Sequence, residues 1–387
     1  MNSMKKHLIL LTVILLIIFI GGFISGTLYS NKKEEQAKVL KIEQVPKSSV
    51  RPEQKALPKW EEPKQQSKVL ISYIQDFRDP NVVDYTKITH VIFSFAHPMK
   101  DGNIELNGKT ALTNLRTMVA KAHSHHVKAM VAVGGWYHMN GGETYDYFKT
   151  AISNPASRTK LVGELTSLAD REKLDGIDID FEFPRSTADA DNLAKFTKEL
   201  SNKLHAENKE LSMAVNSKIH AVTGTVAGFI VYNPVMFQYT DHVNIMAYDG
   251  QWDGGYHASN LSPYPLTEKI VNYWTNLFKA NHLSTEKLVL GVPAYAQPVN
   301  PKIKQVSYAA IVHKDPANAT KNVVQMNGTT YYYNGETTMK LKTKLALDHG
   351  FGGMMMWEAG HDTKGQDSLT SSIYDTLMES KQYTYNQ

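Results

Sequence analysis

From Val69 onward the chain alternates short runs rich in β-branched and aromatic residues with amphipathic stretches of helical period, a pattern that narrows the possible folds sharply. The runs that read as strands are Val69–Tyr73, His90–Phe95, Lys128–Gly134, Gly176–Glu182, Leu211–Asn216, His242–Tyr248, Leu288–Tyr295 and Gly353–Trp357. Helical stretches lie between them at Ala111–His123, Ser157–Arg171, Asp189–Ala206, Leu266–Ala280 and Thr338–His349, and Asp367–Ser380 reads as a closing helix. Eight strands spaced by helices over about 310 residues predict an α/β fold, a (β/α)8 barrel, in preference to an open sheet. One connection is unusually long: about forty residues separate Tyr295 from the helix near Thr338. A small β-containing insertion is expected there, after strand 7, walling one side of a cleft, with Tyr331, Tyr332 and Tyr333 packing it as the preferred reading.

The fourth strand carries an anomaly. In Asp175-Gly176-Ile177-Asp178-Ile179-Asp180-Phe181-Glu182 the alternation of an extended strand puts Ile177, Ile179 and Phe181 on one face and Asp178, Asp180 and Glu182 on the other. Successive acids then sit roughly 6.5 Å apart. Carboxylates are costly to bury unless paired, hydrogen-bonded or neutralised, so folding alone does not account for this ladder. It reads as an acid–base device with Glu182 as proton donor. In a (β/α)8 barrel the active site lies at the C-terminal ends of the strands, and Glu182 falls at the end of strand 4.

Composition removes several alternatives. The chain has no cysteine, which excludes disulfides, thiolate catalysis and Cys-ligated zinc. A formal net charge of +4 over 387 residues gives no reason to invoke nucleic acid. His123, His125 and His126 lack acidic partners at ligand spacing and read as a polar helix end, so no metal and no cofactor is expected. Asn318-Ala319-Thr320 and Asn327-Gly328-Thr329 fit the glycosylation pattern, which is too short to carry an argument.

At the N-terminus, Lys5 and Lys6 precede an uncharged apolar run from Leu8 to Tyr29. Residues 1–30 are expected to be a signal peptide or membrane anchor; the lack of a clear A-x-A cleavage site favours the anchor. Residues 31–67, rich in Lys, Glu, Gln and Pro, read as a flexible linker in which Trp60 packs on the domain edge. Residues 68–387 remain for the barrel, exported to the cell surface or beyond.

The acidic strand resembles the D-G-x-D-x-D-x-E signature of family 18 glycoside hydrolases, which include chitinases and endo-β-N-acetylglucosaminidases. Val133-Gly134-Gly135-Trp136 is similar to that family's strand-3 motif, Met246-Ala247-Tyr248-Asp249 to its strand-6 motif, and Gly353-Met354-Met355-Met356-Trp357-Glu358 to its strand-8 ending. The resemblance runs from about Lys68 to Ser380. One position departs: Ala132 stands where the family usually carries a serine that supports the innermost aspartate.

The resemblance implies substrate-assisted, retaining hydrolysis of β-1,4-linked N-acetylglucosamine glycans by a monomer. Glu182 would be acid and base, Asp180 would hold the acetamido N–H, and Asp178 would share a proton with Asp180. Tyr248 would donate to the acetamido oxygen, and Asp249 would bind a sugar hydroxyl or nearby backbone. Trp357 would floor the pocket with Tyr73 beside it and Met246 beneath, while Trp136 would either meet the sugar or close the barrel top. Tyr331, Tyr332 and Tyr333, if they do not pack the insertion, would bind sugar. Endo-β-N-acetylglucosaminidase action on N-glycans or cell-wall glycan, and a non-catalytic sugar-binding barrel, stand as alternatives.

Overall fold

The computed structural model describes residues 68–384; the expected N-terminal segment, the linker and Trp60 lie outside the described residues. The chain runs β1 (Val69–Gln75), β2 (His90–Pro98), β3 (Ile104–Leu106), α1 (Gly108–Ser124), β4 (Lys128–Gly134), α2 (Thr144–Ser153) and α3 (Pro155–Arg171). It continues through β5 (Gly176–Asp180), α4 (Thr187–Ala206), β6 (Glu210–Asn216), β7 (His242–Met246), α5 (Tyr264–Ala280) and β8 (Leu288–Pro293). After β9 (Tyr295–Pro298), β10 (Val306–Ser307), α6 (Tyr308–Lys314), β11 (Val323–Met326) and β12 (Thr329–Tyr332) come α7 (Glu336–Asp348), β13 (Gly353–Trp357) and α8 (Leu369–Thr384).

The parallel strands form the ring β1-β13-β8-β7-β6-β5-β4-β2, and β2 pairs back onto β1. This is the closed (β/α)8 barrel expected from the alternation, with β3 added antiparallel to the end of β2. Register is visible at the seam, where Val69 opposes Gly353 and Ile71 opposes His90. No helix among the described residues is long and apolar enough to cross a membrane.

Two apolar layers hold the ring. The larger lies between strands and helices: α5 sends Ile270, Trp274 and Phe278 inward at four-residue spacing, all fully buried. Each such side chain contributes about 1.5–3 kcal/mol relative to exposure. The smaller fills the barrel itself with Ile71, Tyr73, Ile92, Met130, Val289 and Met355. Helix starts are chemically marked. Asn154 accepts the Ala156 N–H at 2.8 Å ahead of Pro155, and Ser186 accepts the Asp189 N–H at 3.1 Å.

Between β8 and α7 stands a second, antiparallel sheet in the order β10-β9-β12-β11. Strand β8 stops at Pro293, which has no N–H to continue a ladder, and Tyr295 belongs to the second sheet rather than to the barrel. Tyr331 and Tyr333 are buried in this insertion, their hydroxyls donating to Lys304 O (3.2 Å) and Asn318 O (2.7 Å). Its residues do not line the cleft described below, contrary to the expected wall. The insertion stands behind the cleft instead: Tyr256 Oη donates to Pro298 O at 2.6 Å while its ring centroid lies 4.8 Å from that of the cleft-lining Trp252.

Candidate active site

A cleft of about 960 Å³ opens at the C-terminal ends of the strands. Tyr73, Trp136, Asp180, Glu182, Met246, Tyr248, Asp249 and Trp357 all line it, drawn from five strands and the turns that follow them. Asp178, the remaining candidate, lies fully buried one pleat below Asp180. The candidate residues therefore converge, although up to 284 positions separate them.

Strand β5 places the ladder. Ile177 and Ile179 are fully buried on its helix side, which turns Asp178 and Asp180 into the barrel. The strand ends at Asp180, so Glu182 is carried by the turn and not by the ladder itself. Neighbouring glycines make room for that turn. A Cβ on Gly134 would lie 2.1 Å from the Asp180 carbonyl oxygen, and the Gly135 N–H donates to the same oxygen at 3.0 Å. Beyond Glu182, the buried Asp189 accepts from the Arg185 N–H and the Tyr145 hydroxyl, both at 2.9 Å. Tyr232 Oη adds a bond to the Glu182 carbonyl at 3.1 Å. The acid thus sits on a short, tied turn.

Asp178 is held from three sides. Tyr73 Oη donates to its Oδ2 at 2.8 Å, Ser212 Oγ donates to its Oδ1, and Asn244 Nδ2 lies 3.3 Å from Oδ1. Ala132 opposes Asp178 on β4, and Ser212 opposes it on β6. A hydroxyl from the other neighbouring strand therefore reaches this aspartate. Among the described residues no hydrogen bond links Asp178 to Asp180. Both Asp178 oxygens are engaged by neutral donors, and Asp180 Oδ1 is buried with no hydrogen-bond partner among the described residues.

Burial sets the charge states. It pushes the Asp178 carboxyl up to about 6, against the opposing pull of the bonds from Ser212, Tyr73 and Asn244. Asp180, with burial reinforced by Glu182 and Asp178 as like charges, is pushed well above the usual carboxylate range. Glu182 is pushed up to about 8, by burial first and Asp249 second. A site holding a protonated Glu182 at neutral pH can donate a proton to a leaving oxygen.

Around the acids, Trp357 stacks near Phe95 (centroids 5.9 Å) and tilts onto Tyr73 at 5.6 Å, forming an apolar floor. Tyr73 is almost fully buried at the base of the cleft, and its hydroxyl serves Asp178. Met246 is half-buried against the same cluster. Tyr248 falls two residues beyond β7 and lines the cleft; among the described residues its hydroxyl meets only Met355 Sδ, 3.9 Å away. Asp249 adopts a left-handed backbone (φ 64°) and accepts from Tyr295 Oη at 2.6 Å and Gln251 Nε2 at 3.0 Å. Trp136, 40% exposed, stands on the rim with its ring edge against Phe183 and does not close the barrel top.

Sequence reasoning missed Ser212, Asn244 and Tyr295, which hold the acids in place. Ser212 was open to discovery as a polar residue on the inward face of a strand. It also missed four exposed aromatics along the cleft: Phe77, Tyr137, Phe229 and Trp252, between 63% and 70% exposed. Of the expected polar helix end, His123 pairs with Asp175 at 2.9 Å, far from the cleft lining.

The chain belongs to glycosyl hydrolases family 18, whose profile matches residues 59–362. A chitinase-like effector of Moniliophthora roreri is 32% identical over 55% of this chain and 53% of its own length, so the chain spans about half of that relative. Chitinase 1 of Aphanocladium album is 24% identical over 76% of this chain and 80% of that one. The crystal structure of a chitinase from Bacteroides thetaiotaomicron has the same fold, with a TM-score of 0.68 at 24% identity over 81% of this chain and 98% of the other.

Proposed function

We propose that this protein hydrolyses β-1,4 bonds of N-acetylglucosamine glycans of the chitin type with retention, the substrate's own acetamido group attacking the anomeric carbon. The observation that carries this reading is Glu182. Its proton is held up to about 8 above an apolar floor, next to an Asp180 carboxyl with an unpaired oxygen. Glu182 protonates the glycosidic oxygen and then, as carboxylate, activates water. Asp180 receives the acetamido N–H on its free oxygen and stabilises the cationic ring intermediate. Tyr248 donates its hydroxyl to the acetamido oxygen, and Asp178, anchored by Tyr73, Ser212 and Asn244, tunes the charge on Asp180. Trp357 carries the C–H face of the sugar being cleaved, with Met246 below it. Trp136 meets the next sugar at the rim, and Asp249 takes a sugar hydroxyl.

Export accords with Lys5 and Lys6 ahead of the Leu8–Tyr29 apolar run, with residues 31–67 as tether, and the barrel acts as a monomer at or beyond the cell surface.

The test compares wild type with Glu182→Gln on chito-oligosaccharides and on an N-glycosylated protein. Wild type is expected to cleave the oligosaccharides and Glu182→Gln to lose at least about 10²–10⁴ in rate while still binding. Binding of oligosaccharides without cleavage by wild type would show a sugar-binding barrel instead, and release of N-glycans alone would move the substrate to the N-glycan core. Inhibition by a thiazoline mimic of the cyclic intermediate is expected; rapid turnover of substrates lacking the 2-acetamido group would rule out its participation.

A further inference from the structure

At the end of the barrel opposite the cleft, three potential metal ligands meet that no sequence spacing connects. His90, Glu210 and His242 are the first residues of β2, β6 and β7. One ligand atom from each lies within 4.8 Å of the other two. His90 Nε2 is 2.9 Å and His242 Nε2 3.8 Å from the same oxygen, Glu210 Oε2. Two ligands of a tetrahedral zinc-type ion, each bonded at about 2.0–2.2 Å, keep about 3.3 Å between them. The two separations from Glu210 Oε2 bracket that value, and the ligand atoms of the two imidazoles lie within 4.8 Å of each other, close enough to converge on one ion.

The surroundings are those of supported ligands. Thr89 Oγ1 is 2.8 Å from His90 Nδ1, which orients that ring with Nε2 toward Glu210. Lys128 Nζ binds the other carboxylate oxygen, leaving Oε2 to the two imidazoles. Such outer contacts orient ligating histidines and carboxylates. Lys128 is 48% exposed, so solvent screens its charge at the site. The other nearby ammonium groups are turned to carbonyls, Lys68 to Phe351 O and Lys287 to Thr240 O.

His242 supplies a second observation. Its Nε2 is too far from Glu210 for a hydrogen bond, and its buried Nδ1 has no partner among the described residues. Neither nitrogen of this ring has a hydrogen-bond partner among the described residues, and a ring nitrogen so placed calls for a water or an ion. Access exists: Glu210 and His242 line a cavity of about 330 Å³ that also holds the carboxylates of Asp241 and Glu286.

We infer that His90, Glu210 and His242 bind one divalent transition-metal ion of the zinc type, tying three strands together across the closed end of the barrel. Two imidazoles and one carboxylate suit zinc, cobalt or nickel and not calcium or magnesium. Solvent from the cavity fills the fourth position.

The full chain, stripped with chelator, is titrated with Zn²⁺ by calorimetry and with Co²⁺ by visible absorption, with Tm read at each addition. One ion per chain is expected, with a rise in Tm and a Co²⁺ spectrum of four-coordinate N/O type. Glu210→Gln and His242→Gln, made separately, should each weaken binding at least tenfold, whereas His123→Gln/His125→Gln should leave it unchanged. Absence of saturable one-to-one binding to wild type overturns the site. So does binding that survives both Glu210→Gln and His242→Gln, or that is lost in the surface-histidine variant. X-ray absorption on the wild-type complex gives a check that needs no variant: two imidazole ligands support the site, and none refutes it.

Discussion

At the scale of single residues, Glu182 trades stability for reactivity. Its carboxyl has a higher proton affinity in the fold, about 8, than in the unfolded chain. A raised carboxyl contributes stability that is fully present below its unfolded value and is lost as pH rises through the folded value. Glu182→Gln removes that loss. Its Tm should match wild type near pH 4 and exceed it increasingly toward pH 8.5; equal Tm values across that range would mean Glu182 is not held protonated. Asp178 follows the same sign at lower pH, raised to about 6. Tyr73→Phe deletes one of the bonds that favour its ionised form, and hydrogen bonds to charged groups are worth about 1.5–3 kcal/mol. Urea unfolding should show that loss at pH 7.5 and a much smaller one at pH 4. The acidic limb of kcat should shift to higher pH in this variant, a change that mere loss of packing would not produce.

At the scale of elements, the barrel mouth depends on latches between strand ends. Glu358, fully buried just after β13, accepts Arg78 Nε at 3.0 Å and Nη2 at 2.7 Å from the turn after β1, and accepts the Gly360 N–H at 2.9 Å. Removing one partner of a buried ion pair leaves an uncompensated charge, so Arg78→Met should cost about 3–5 kcal/mol in urea unfolding. Adding Glu358→Gln should recover part of that cost, and purely additive losses would argue against the latch. Elements were also what the sequence revealed best. Short apolar runs rich in β-branched residues, alternating with helical patterns, located every barrel strand, because strands buried on both faces read as continuous apolar runs. Strand ends were read less well, at Glu182 and Tyr248, because turn geometry stops a strand there: Gly134 crowding the Asp180 carbonyl, and Asp249 in a left-handed conformation. Helix α2 escaped notice as a short segment after the Gly141-Gly142 turn. Ser212 and Asn244 escaped because their partner Asp178 lies on another strand, and His90, Glu210 and His242 because only closure of the ring unites them.

At the scale of the whole molecule, stability rests on one ring and the helices around it, with no cysteine to staple it. Strand β1 pairs with β2 on one side and with β13 on the other, Val69 opposing Gly353. A chain ending at Gly352 leaves β1 and β8 each short of one neighbour. Such a chain should lose the sharp urea transition of the intact protein; a retained transition with unchanged midpoint and slope would show that closure adds nothing. The seam also has a bearing on how the protein is made. Strand β1, the first among the described residues, waits for β13, with six other barrel strands between them in the chain. Until Trp357 has emerged, β1 has only β2 beside it and the cleft has no floor. The ring can therefore close, and the acid site gain its floor, only after the last barrel strand has been made.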